Sequence, residues 1–351
     1  MRKPSLHRFA VAIAIATAAT LSLTGAHASD LGDRIDLHGY GYQSYLQSSA
    51  NTYLGADKRG TWDNNFLGLV MSATLTDESK LWAQVENTTL KGTDFTWFFV
   101  DYQISDAARA HVGRVKLPLG FYNEIIDAKS LQPAALVPVI YQTAADMVHD
   151  AYHGVGFDYE QDVGKGHILW QAWGGNVYDR DPPVDTRDRR AFGFRVGYRT
   201  PVDGLRFMLS AYRTQVQTLA DNSMSNEDRT IAGAEFVREA IDIKAEFAKH
   251  KFLGVNSSGY YVQAGYAMGE KWKPYVRFDS VTTDKAQRQD DAFRQKTFVV
   301  GAGYKLGPNI GLKIENHFNR GYALPVGSGE VVAGSGSNKW NLFLVAADFS
   351  F

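Results

Sequence analysis

The chain has 351 residues, with 37 Lys and Arg against 38 Asp and Glu and no cysteine. This balance gives no basic footprint for nucleic acid, and stability cannot come from disulfides. No segment after the first 28 residues has eighteen consecutive apolar residues, so no transmembrane helix is expected there. The mean hydropathy of −0.28 does not exclude a membrane barrel, whose walls alternate apolar and polar residues.

Residues 1–28 read as a secretory signal peptide. Arg2, Lys3 and Arg8 precede an apolar, Ala-rich run, and Ala26-His27-Ala28 is a small-x-small cleavage site. Residues 29–351 are expected to form one domain. Without Arg2, Lys3 and Arg8 they carry 34 basic and 38 acidic residues. No Pro/Gly/Ser tract or charge block marks a linker, and all-β barrels run long as single domains.

Beyond the leader the chain is a series of segments with period two. Val155, Phe157 and Tyr159 alternate with Gly156, Asp158 and Glu160. Phe192, Phe194, Val196 and Tyr198 alternate with Gly193, Arg195, Gly197 and Arg199. Ile241, Ile243, Ala245 and Phe247 alternate with Asp242, Lys244 and Glu246, and Ile310, Leu312 and Ile314 with Gly311, Lys313 and Glu315. One face is apolar and the other carries both signs of charge. Short connections at 76–80, 105–108, 161–166, 201–204, 238–240, 269–271 and 305–309 alternate with long ones. The long ones fall at 49–60, 118–153, 177–189, 217–228, 251–258, 281–293 and 320–338. The last segment puts Phe343, Val345, Ala347, Phe349 and Phe351 on one face. A terminal aromatic is expected to close a barrel sheet and signal its assembly. Together these features predict an all-β, transmembrane antiparallel barrel of about sixteen strands, with short periplasmic turns and long external loops. A barrel of that size encloses an aqueous channel.

One connection differs from the rest. GRVKLPLGFYNEIIDAKSLQPAALVPVIY, residues 113–141, starts as a strand and then meets Pro118, Pro133 and Pro138, which cannot sit in a central strand. Its run from Ala134 to Ile140 is apolar, which favours packing against the inner wall over exposure to water. Arg114 and Lys116 share parity at its root; with Val115 and Leu117 facing lipid, both cations face the lumen. The loop itself carries Glu124, Asp127, Asp146 and Asp150 against Lys129. An acidic loop facing wall residues Arg195, Arg199, Arg277, Lys313 and Glu315 would set a field across a constriction.

GRVKLPLGFYNE, PYVRFDS and the FLVAADFSF ending resemble segments of Gram-negative porins, general and phosphate-selective. The resemblance implies an outer-membrane channel for passive diffusion of small hydrophilic solutes and ions, usually homotrimeric. It also implies a third external loop folded into the lumen, and a wall in contact with outer-membrane lipid and lipopolysaccharide. The mixed charge departs from the dense basic runs of phosphate-selective channels, so an anion-selective channel is the alternative within this class. The alternative in another class is a barrel enzyme of lipase or protease type, but no GxSxG elbow is present and the histidines are scattered. His149 and His153 are spaced i, i+4 but lack a third ligand, so neither metal nor cofactor is expected. Trp62, Trp97, Trp170, Trp173, Trp272 and Trp340 fit interfacial girdles, or else a track of rings for sugars inside the lumen.

Overall fold

The computed structural model describes residues 34–89, 92–145, 147–178 and 185–351. The expected signal peptide and Asp146 lie outside the described residues. Sixteen strands form one closed sheet. The first eight are β1 (Ile35–Ser48), β2 (Thr61–Thr74), β3 (Ser79–Thr88), β4 (Gly92–Ser105), β5 (Ala108–Lys116), β6 (Ala151–Val163), β7 (Gly166–Tyr178) and β8 (Thr186–Arg199). The second eight are β9 (Leu205–Thr218), β10 (Met224–Arg238), β11 (Ile241–Phe252), β12 (Val255–Tyr266), β13 (Trp272–Thr282), β14 (Arg294–Gly307), β15 (Ile310–Arg320) and β16 (Lys339–Ser350). Each strand pairs antiparallel with its neighbours in the chain, and β1 pairs with β16 to close the ring. Closure leaves no edge, so every strand can pair its backbone within the wall.

The two faces follow from the alternation. Phe157, Phe192, Phe194, Ile243, Phe247, Val300, Ile314 and Val345 are exposed on the outer wall. The opposite parity puts Arg195, Glu246, Arg277, Asp279 and Glu315 inside. At the closing seam the backbones of Gly39 and Phe351 exchange two hydrogen bonds of 2.8 and 2.9 Å. The Phe351 and Phe349 rings lie over Gly39 and Gly41, where an added Cβ would collide with them.

Two expected long loops are tight hairpins. β9 and β10 are joined by residues 219–223, and β11 and β12 by Leu253-Gly254, both at positive φ (47° and 82°). The polar residues Asn226, Lys251 and Asn256 read as loop because the apolar alternation stops there. The strands themselves continue past that point, where their outer face no longer needs to be apolar.

The connection between β5 and β6, residues 117–150, enters the barrel as expected. Leu117, Leu119, Ala134, Val139 and Ile140 are buried. The leucine, valine and isoleucine side chains gain about 1.5–3 kcal/mol each on leaving water. Four single turns of 3₁₀ helix replace a ladder that the prolines forbid.

Candidate functional site

The loop is fastened to one half of the wall by charged side chains that reach its backbone. On β13, Arg277 Nη1 donates to the Leu136 carbonyl (2.9 Å) and Nε to Asp279 (2.8 Å), while Asp279 accepts from Val139 N (2.9 Å). On β15, Glu315 accepts from Ala135 N, and Lys313 donates to the Lys129 carbonyl. On β11, Glu246 accepts from Phe121 N (2.9 Å), from Tyr141 Oη (2.8 Å) and from Tyr261 Oη (2.7 Å). An extended loop leaves backbone groups unpaired, and in the interior these must find partners. Wall carboxylates and cations supply them, with the added strength of charged hydrogen bonds.

This arrangement corrects part of the sequence reading. Arg277, Lys313 and Glu315 do face inward, but they are sealed beneath the loop at 1%, 7% and 1% exposure. They anchor the loop, and Lys313 also borders a cavity of about 380 Å³ between loop residues Ser130, Gln132 and Pro133 and the wall.

Arg114 is a second correction, because it lies on the outer face. It shares parity with Val112 (58% exposed) and packs over the ring of Tyr178 (3.8 Å to the centroid), close to exposed Phe98. Val115 and Leu117, expected to face lipid, instead pack with the buried core. The parity is inverted because β5 keeps register through Arg114. Lys116 enters the interior only because the strand ends there and the chain turns inward.

Lys116 is buried between two loop carboxylates, Asp127 (2.8 Å) and Asp150. Glu124 pairs directly with Arg195 Nη1 at 2.5 Å. The loop acids therefore neutralise the cations by contact and do not face them across a gap. Arg195 also donates to Gln171 (2.5 Å) and to the Gly120 carbonyl (3.3 Å). Lys129 is half-buried, and its amine lies 5.5 Å from the centre of the Tyr42 ring. Burial and the neighbouring Lys313 cation lower its pKa to about 8.

On β9 the inward residues Met208, Ser210, Tyr212, Thr214 and Val216 are buried, but the wall from β4 to β8 is only partly covered at Trp97, Phe99, His111, Asp158, Gln171 and Arg195. Two cavities lie along it and share Glu124. The upper one, of about 230 Å³, is lined by Trp97, Phe99, His111, Tyr152, Asp158 and Trp173 among others. The lower one, of about 120 Å³, is lined by Glu160, His167, Arg195, Arg199 and Arg206. The Glu124–Arg195 pair joins the loop to the wall where the two cavities meet.

His111, Asp101, Asp158, Gln171 and Glu246 were not singled out from the sequence. Their inward parity was visible, but which inward residues the loop leaves uncovered was not. Among the tryptophans, Trp62, Trp170 and Trp272 are exposed on the outer wall, whereas Trp173 and Trp340 are buried and Trp97 lines the upper cavity. His149 bonds inward to Tyr212 (2.8 Å) while His153 lies outside beside Arg114 (3.3 Å), so the i, i+4 pair does not converge.

A closed sixteen-stranded barrel with its third external loop folded inside is the architecture of outer-membrane porins. No protein-family model and no curated protein sequence matches the chain. Solved structures do. An anion-selective porin from Comamonas acidovorans matches with TM-score 0.62 at 14% identity, covering 90% of this chain and 99% of its own. The outer membrane channel DcaP of Acinetobacter baumannii matches with TM-score 0.59 at 11% identity, covering 90% and 97%. The trimer form of OmpT, an outer membrane protein of Vibrio cholerae, matches with TM-score 0.60 at 14% identity, covering 90% and 99%. At these identities the likeness is one of fold.

Proposed function

We propose that the protein is an outer-membrane porin, a water-filled channel for passive diffusion of small hydrophilic solutes and ions. The observation that carries this reading is the partly uncovered, charged wall from β4 to β8, beside a loop fastened to β11, β13 and β15. Such a path selects by size and charge without covalent chemistry. Sixteen strands favour it over a barrel enzyme, for which ten or twelve would be expected.

In this reading residues 1–28 direct export and are removed, and residues 29–351 form the single barrel domain. The apolar outer wall meets outer-membrane lipid and lipopolysaccharide. The protein works as a homotrimer, in line with the trimer form of one similar structure. Glu124 and Arg195 form the constriction. Lys116, Asp127, Asp150 and Lys129 fix the loop beside it, and Arg199 lines the exit. Phe343, Val345, Phe349 and Phe351 form the face by which the barrel is recognised for assembly. Purified protein in a planar bilayer gives stepwise ion conductance. A folded trimer that conducts nothing would refute the proposal.

A further inference from the structure

The upper cavity has a composition that a general diffusion pore does not need. Trp97 and Phe99 stand side by side on β4, with ring centres 5.8 Å apart. Tyr152 and Trp173 on β6 and β7 stack at 4.6 Å and 26°. Between these pairs β5, β6 and β7 pair through a cross-strand row of glycines, Gly113, Gly154 and Gly175, where an added Cβ would collide with neighbouring backbone, so the strands pack closely there. Aromatic surface left beside water is unfavourable unless something covers it. Tyr152 and Trp173 are covered by the protein itself, but Trp97 and Phe99 are only partly so.

The polar groups stand at the margin of the rings. Asp158 accepts from Gln171 (3.1 Å) and contacts His111 Nε2 (3.1 Å), whose Nδ1 is 3.2 Å from Asp101. Lys116 and Glu124 complete the margin with opposite charges.

We infer that this cavity is a binding subsite for a neutral saccharide ring on its way to the constriction. The inference rests on the channel reading above and names the solute class of that path. A pyranose has an apolar C–H face that stacks on an aromatic ring and a rim of hydroxyls that both donate and accept. The cavity offers that pairing: flat rings flanked by carboxylate and amide acceptors and by amine, imidazole and amide donors. An anion is disfavoured by the electron-rich ring faces. An organic cation gains little from carboxylates already paired with Lys116, His111 and Arg195. The volume suits one ring at a time.

The test is current through single channels in a planar bilayer, with maltose as the probe and sorbitol as the comparison. Sorbitol has the hydroxyls without a rigid C–H face. Maltose reduces the wild-type current saturably, and sorbitol only in proportion to viscosity. Trp97→Ala raises the half-saturating maltose concentration about tenfold, and Trp97→Phe restores most of the effect. Trp62→Ala, on the outer wall, leaves it unchanged. Equal effects of maltose and sorbitol on a conducting wild-type channel, or an unchanged half-saturation in Trp97→Ala, overturn the saccharide site and leave the channel reading intact. A wild-type protein that conducts nothing without sugar overturns both.

Discussion

Glu246 is the wall residue on which the seating of the loop depends most, and Glu246→Ala should release it. Two loop donors, Phe121 N–H and Tyr141 O–H, end on this one carboxylate, together with Tyr261 from the wall. A buried donor left without an acceptor costs about 1–3 kcal/mol. Only the two loop-borne donors are relieved by the loop's leaving the wall, so the seated state loses roughly 2–6 kcal/mol relative to the released one. The lower figure shifts that equilibrium about thirtyfold. The barrel should survive, because the ladder of β11 does not involve this side chain. Two readouts follow. Single-channel conductance rises and becomes noisy, and trypsin cuts the loop at Lys129 in folded protein faster than in wild type. Glu246→Gln, which keeps a carbonyl acceptor, falls between. Wild-type conductance and wild-type resistance to trypsin in Glu246→Ala would refute the reasoning.

Three other substitutions probe separate parts of the account. Lys129 has its pKa lowered to about 8, so raising the pH from 7 to 9 removes a positive charge from the loop. Reversal potentials in a salt gradient should then move toward cations, and the shift should vanish in Lys129→Met. The folded state binds fewer protons than the unfolded one between pH 8 and 10.5, so this group adds stability as pH rises through that window. Arg114→Ala should leave conductance and ion selectivity unchanged, because its guanidinium lies outside the barrel; a changed selectivity would restore it to the lumen. Gly39→Val should displace the Phe351 ring from the closing seam, and less of the protein should run as folded barrel on an unheated SDS gel.

The fold was legible because a membrane barrel repeats one rule sixteen times. Any segment such as IDIKAEFAKH states which residues meet lipid and which face inward. The site was legible only in part. That the stretch after Lys116 leaves the sheet and packs inside followed from its prolines and its apolar run. Which half of the wall it covers did not, because the contacts of Arg277 with residue 136 and Glu315 with residue 135 join positions more than 140 apart in sequence. Parity also failed at one informative place. Arg114 and Lys116 are two residues apart, yet the end of β5 at Lys116 leaves one outside and turns the other inside. Polar residues above the apolar band read as loops because alternation reports the environment of a strand and not its length. Glu124 and Arg195 were both candidates, and only the three-dimensional fold brings them into contact.

The absence of cysteine allows a direct test of where water passes. Single cysteines would be placed at Gln171, on the partly uncovered wall, and at Thr297 on β14, which is 1% exposed in the same inward row as Val299, packed on the loop's Ala134. Each variant would be treated with a small charged methanethiosulfonate during current recording. The account predicts a stepwise, irreversible loss of current in Gln171→Cys and none in Thr297→Cys. Block at Thr297 with an unaffected Gln171 variant would place the path on the half of the barrel to which the loop is fastened.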